Sequence, residues 1–146
     1  MKFWSHKPSR TCRRPRPWPL ILSFRGLVHA LAGRPEQALV LIEEAIGLGG
    51  PHEEVSPEFR VLKGDFLRML PQPDLAGAEE AYLTAIRGAN TGGRHLIELQ
   101  ALTRLVGLRR QIGHSPDGSD ELASLYATFS EGFEEYDLVM ARQVLG

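Results

Sequence analysis

The residues best placed by type to do chemistry are few, and none of their spacings completes a site. His52-Glu53-Glu54 starts a metalloprotease pattern, in which two histidines one helical turn apart hold zinc and a glutamate activates water. The second histidine of that pattern falls on Ser56. Nucleotide hydrolysis needs a glycine-rich loop ending in Gly-Lys-Ser/Thr, whose amides and lysine cradle phosphates. The lysines are Lys2, Lys7 and Lys63, and Lys63-Gly64-Asp65 falls inside an expected helix. Cyclase chemistry needs paired metal-binding aspartates on a sheet, and the sequence predicts no strand. His29, His95 and His114 are scattered. Thr91-Gly92-Gly93-Arg94 could form an anion-binding nest, but it reads more simply as a turn between helices. Cys12 has arginine neighbours that favour a thiolate but no partner base. The expectation is a chain with no catalytic residues, no metal site and no cofactor.

The elements around these residues are helical. LILSFRGLVHALAG sets Leu20, Phe24, Leu27, Val28 and Leu31 on one helical face, expected to be buried, and Gly33 stops the helix. Pro35 suits the first turn of a second helix carrying Ala38, Leu39, Ile42, Ala45 and Ile46, which Gly47 to Pro51 end. Ser56 is the expected N-cap of a third helix with Phe59, Leu62, Phe66 and Leu70. After Pro71-Gln72-Pro73, a fourth presents Leu75, Ala78, Tyr82, Ala85, Ile86 and Ala89. A fifth has Leu96, Leu99, Leu102, Val106 and Ile112 as core candidates. Ser119 is the expected cap of a sixth with Leu122, Leu125, Tyr126 and Phe129, and a last helix carries Leu138, Ala141 and Leu145.

The units repeat. Gly26, Ala38, Ile42 and Ala45 align with Gly64, Ala78, Tyr82 and Ala85 at offsets of 38 to 40 residues. Small residues at fixed points let paired helices approach closely, and bulk there would overpack them. Val106, Gly118, Leu122 and Leu125 hold the same places in a third, more degenerate unit.

These residues resemble the tetratricopeptide repeat, in which a small residue on the first helix precedes one on the second by twelve positions, the spacing from Gly26 to Ala38. Residues 20 to 145, most of all ELASLYATFSEGFEEYDLVMARQVL, resemble more narrowly the C-terminal repeat region of large bacterial proteins. Those proteins join a nucleotide cyclase or transcription-regulator module to an ATPase domain and a helical tail. Tyr126, Phe129, Glu131, Gly132, Phe133, Asp137 and Leu138 carry that likeness. The resemblance implies an all-α superhelix of helical hairpins with a C-terminal capping helix, and a parent whose enzymatic activity lies outside the matching part. It also implies a concave groove lined by the first helix of each pair. In the register set by Gly26, Gly64 and Val106, that groove takes Glu58, Asp65, Arg68 and Met69 of the second unit. Gln100, Thr103, Arg110 and Gln111 of the third join them, with Arg68 and Arg110 placed to clamp carboxylates of a protein or peptide partner.

Composition agrees with such a module. A 42% hydrophobic and 24% charged chain of 146 residues has the profile of one globular domain, with no run long enough to span a bilayer. The lone cysteine rules out an intramolecular disulfide and suits a reducing cytoplasm. The net charge of -1 hides an asymmetry, because Lys2, Lys7, Arg10, Arg13, Arg14 and Arg16 precede any acid. The remainder holds 11 basic and 18 acidic residues. With Pro8, Pro15, Pro17 and Pro19, residues 1–19 read as a disordered basic tail ahead of a repeat domain over 20–146. Two rival readings of the tail are an export signal, opposed by Arg25 and His29 in its apolar stretch, and a nucleic-acid or anionic-lipid arm using Trp4 and Trp18. The first hairpin has no visible cap, so its apolar surface favours self-association or docking.

Overall fold

The computed structural model describes residues 18–49 and 56–146. The basic tail up to residue 17, Cys12 and the His52-Glu53-Glu54 segment lie outside the described residues. Seven helices and no strand are found among those described: α1 (Trp18–Leu31), α2 (Pro35–Gly47), α3 (Pro57–Arg68), α4 (Leu75–Thr91), α5 (His95–Ile112), α6 (Ser119–Tyr126) and α7 (Tyr136–Leu145). Trp18 and Pro19, read as the end of the tail, open α1 instead; a proline in a first turn forfeits no helical hydrogen bond.

Local chemistry sets the boundaries. Pro35 and Pro57 each stand at the start of a helix, and the Asp74 carboxylate accepts from the Gly77 amide at 2.9 Å to cap α4. Two expected caps differ. Ser56 is at the N-cap position but its hydroxyl makes no capping bond, and at α6 the carboxylate of Asp117 accepts from the Ser119 amide at 2.9 Å. Asp117 wins there because Gly118, at φ 88°, turns the chain so that Ser119 is already helical. Of Thr91-Gly92-Gly93-Arg94, Thr91 ends α4 and the other three make the turn to α5, with Gly93 at φ 64° and the Arg94 amide donating to the Ala89 carbonyl.

Each helix packs on the next, and beyond that α1 touches α3, α3 touches α5, and α5 touches α7. No such contact joins α2 with α4 or α4 with α6. The odd-numbered helices therefore form one layer and the even-numbered helices another. Two apolar clusters fill the space between: Leu22, Ala30, Ala38, Ile42, Ala45 and Phe66 at the N-terminal end, and a larger one around Tyr82, Leu99, Leu105, Val106, Leu108, Leu122 and Leu138.

Two sequence expectations are corrected by this packing. On α1 the buried face is Leu22, Ser23, Gly26 and Ala30, while Leu20, Phe24, Leu27, Val28 and Leu31 point outward. The smaller side wins because α2 approaches its backbone: a Cβ on Gly26 would lie 3.3 Å from the Ala38 carbonyl oxygen and 3.4 Å from the Phe66 ring. On α5, Leu96 and Ile112 at the two ends are exposed, whereas Ala101, Leu105 and Leu108 are buried together with Leu99, Leu102 and Val106. That helix is flanked by α4, α6 and α7, so a single stripe understates its core.

Candidate functional site

The positions aligned as repeats all pack at the hairpin interfaces. Gly26, Ala38, Ala45, Gly64, Ala78, Tyr82 and Ala85 are buried. Gly64 is the tightest: a Cβ there would stand 2.8 Å from two ring carbons of Tyr82. The aromatic ring of α4 packs against the bare backbone of α3 at Gly64, and its hydroxyl donates to Asp65 Oδ1 at 2.6 Å.

Asp65 joins three helices. Besides the Tyr82 hydroxyl from α4, it accepts from Arg104 Nε of α5 at 3.0 Å through Oδ1 and at 2.9 Å through Oδ2. Arg104 Nη1 in turn donates to the Gln100 carbonyl at 3.2 Å. Burial above all, then the neighbouring Asp65 carboxylate, pushes the Tyr82 phenol well above its usual range, while Arg68 pulls weakly the other way. Tyr82 is thus a neutral donor, and the charge of Asp65 is answered by Arg104.

Above this hub lies a small cleft of about 170 Å³, lined by Asp65 and Arg68 of α3, Gln100, Thr103 and Arg104 of α5, and Tyr136, Asp137 and Met140 of α7. Gln100 Nε2 donates to Asp137 Oδ2 at 2.7 Å across the α5–α7 contact. Asp137 sits in the first turn of α7, where the helix dipole favours a carboxylate. Thr103 is buried and its hydroxyl donates to the Leu99 carbonyl at 2.7 Å, so it contributes shape rather than a free donor. Arg68 Nη2 donates to Gln111 Oε1 at 3.3 Å, and among the described residues it takes no carboxylate.

Of the eight residues expected in a groove, four line the cleft: Asp65, Arg68, Gln100 and Thr103. Gln111 is adjacent through Arg68, and Met69 is exposed at the end of α3. Glu58 is instead engaged by Arg94 Nη1 at 2.9 Å. Arg110 lies apart from Arg68's cleft, with Nε donating to Asp117 at 2.8 Å, Nη2 to the Ser119 hydroxyl at 2.8 Å, and Nη1 to the Val144 carbonyl. It clasps the start of α6 and the end of α7. The Ser119 bonds first, and Arg110 next, hold the Asp117 carboxyl well below the usual carboxylate range.

Arg104, Tyr136 and Met140 were missed by the sequence reading, which named Asp137 for the family resemblance and not as a groove residue. The sequence signal for Arg104, Tyr136 and Met140 is helical phase, since Gln100 and Arg104 are one turn apart on α5, and so are Tyr136 and Met140 on α7. Neither a protein-family model nor a curated protein nor a solved structure matches this chain.

The cleft is below the ~300–1,000 Å³ of ordinary small-molecule sites, and suits one or two side chains of a larger partner. Among the described residues no group of His, Cys, Asp and Glu is arranged to hold a metal ion, and no helix is long and apolar enough to cross a membrane. His95 and His114 each sit beside a single glutamate, at 3.6 Å from Glu98 and 3.9 Å from Glu79. Lys63 is occupied by Glu43 at 3.1 Å.

Proposed function

We propose that this chain is a non-catalytic protein-interaction module of the tetratricopeptide kind, which holds a peptide or a neighbouring domain over the α3–α5–α7 cleft. The observation that carries the reading is the layered contact pattern, in which odd helices touch odd helices while even helices back them without touching one another. Such an arrangement gives a hairpin array one face built from first helices alone. The close approaches at Gly26 and Gly64, at equivalent points of successive hairpins, support the same register. Arg68, bonded to Gln111 but with no carboxylate partner among the described residues, would take a carboxylate of the partner, with Asp137 and the exposed Tyr136 supplying an acceptor and an aromatic surface.

The finer part of the proposal is that the chain corresponds to the C-terminal repeat region of a larger ATPase- or cyclase-type regulator. The C-terminal segment supports this. Gly132, at φ 78°, turns the chain so that the Phe133 ring returns to Tyr126 with centroids 5.8 Å apart, giving the Tyr-x-x-Phe-x-Glu-Gly-Phe run a structural purpose at the start of α7.

Selection of a random peptide library on the immobilised full chain, followed by calorimetric titration of the enriched peptides, tests the proposal. Enriched sequences should carry an acidic residue and lose about tenfold in affinity when Arg68 becomes alanine. Binders indifferent to every cleft substitution would remove the cleft from the function, and steady ATP turnover that follows the purified chain would remove the non-catalytic reading.

A further inference from the structure

The outward face of α1 is a continuous apolar stripe. Leu20, Ile21, Phe24, Leu27, Val28 and Leu31 are all exposed, with Phe24 at 60%, Val28 at 63% and Leu31 at 78%. No acid occurs anywhere in the helix, and Arg25 is its one strong cation. A helix face of this kind normally has an occupant.

The internal repeat shows what sort of surface covers it. With Gly26 aligned on Gly64, Ile21, Phe24 and Val28 stand where α3 has Phe59, Leu62 and Phe66. Those three pack into the cluster of the preceding α1–α2 hairpin. The α1 stripe is therefore the stacking face of a unit whose neighbour is missing from the described fold. Among the described residues no even helix remains to fill that place, because α2 meets α3, α4 meets α5 and α6 meets α7. Among the described residues, the unmet apolar helix face of matching size is α1 itself, as a second copy would present it.

We propose that α1 is a homodimerisation helix that packs antiparallel on α1 of a second copy. The seam residues Leu20, Phe24, Leu27 and Leu31 are spaced 4-3-4, which reads the same in both directions. An antiparallel two-fold pairing thus sets Leu20 against the partner's Leu31 and Phe24 against the partner's Leu27. Charge selects this direction. Six cationic residues and no acid precede Trp18, so a parallel pair would join two such segments at one end, whereas the antiparallel pair attaches them at opposite ends. The six side chains expose on the order of 600 Å² per copy, so the pair buries at most about 1,200 Å², the lower bound of a specific interface. The surface lies on the first hairpin, separate from the cleft, and the dimer does not depend on the proposed ligand.

The test is sedimentation equilibrium of the full chain, with Phe24→Glu and Leu31→Glu as variants. Both side chains are exposed, so circular dichroism should remain that of the parent. The parent should dimerise reversibly, each variant should raise the dissociation constant at least tenfold, and Arg68→Ala should leave it unchanged. In a Cys12→Ser background, oxidation should cross-link a mixture of Leu20→Cys and Leu31→Cys chains and neither variant by itself. A monomer up to about 100 µM, or a dimer that survives both glutamates, overturns the interface. Cross-linking of Leu20→Cys to itself overturns the antiparallel register.

Discussion

The ring of Tyr82 occupies the space that a side chain at position 64 would need, so Gly64 and Tyr82 fix the register of α3 against α4 as a matched pair. Gly64→Ala should therefore destabilise the fold by about 1–3 kcal/mol through overpacking, measured by denaturant unfolding. Combining it with Tyr82→Leu should cost less than the sum of the single changes, because the smaller side chain clears the Cβ. Strict additivity would show that the two residues do not constrain one another.

The equivalent crossing points make a second prediction. Ala38 and Ala78 are fully buried where each second helix meets its first, so Ala38→Leu and Ala78→Leu should each lower stability by about 1–3 kcal/mol with the helical circular dichroism spectrum retained. Full tolerance of both leucines would contradict the hairpin register.

Alkaline pH should reveal the Tyr82–Asp65 bond. The phenol is held above its usual range in the folded chain, mainly by burial. The stability tied to it is therefore complete below the unfolded value of about 10 and is lost as pH rises from there toward the folded value. Of the three tyrosines, Tyr136 is mostly exposed, whereas Tyr82 should ionise only with unfolding. Near-UV phenolate absorbance and helicity recorded across the same titration should then show one phenol appearing as helix is lost. Tyr82→Phe should abolish that coincident step. Early ionisation of all three in the folded chain would contradict the burial of Tyr82.

The Arg110 clasp predicts a local effect. Arg110→Ala removes the guanidinium bonds to Asp117, Ser119 and the Val144 carbonyl, so amide exchange should accelerate in α6 and the end of α7 while the middle of α5 stays protected. In the parent, stability tied to Asp117 is present above the usual carboxylate range and is lost as pH falls toward its depressed folded value. Uniform exchange acceleration across all helices would mean that Arg110 supports the whole fold instead.

Much of the helical architecture was legible because prolines, glycines and apolar periodicity mark helix ends and phases: Pro35, Pro57, the Pro71-Gln72-Pro73 break and Gly113 all fall at real boundaries. The face of α1 was misread because periodicity reports bulk, whereas close helix approach selects small residues. Leu22, Ser23, Gly26 and Ala30 are buried for lack of bulk, and the larger side chains remain outside. Half of the expected groove converges on the cleft, since Asp65, Arg68, Gln100 and Thr103 follow from helical phase on α3 and α5. The contribution of α7 was illegible because a sequence does not state where a terminal helix docks. Arg110 illustrates the same limit: it shares Arg68's expected phase, yet Asp117 and the Val144 carbonyl, brought near by the α5–α6 turn and α7, claim it.

If this fold acts by holding a partner over the α3–α5–α7 cleft, calorimetric titration of a library-selected peptide into four proteins will show it. These are the parent, Arg68→Ala, Tyr136→Ala and, as a control distant from the cleft, Phe24→Glu. Each cleft variant should lose about tenfold in affinity, helicity should be unaltered throughout, and the control should bind as the parent does. Equal affinity in all four, or loss in the Phe24 variant alone, would contradict it.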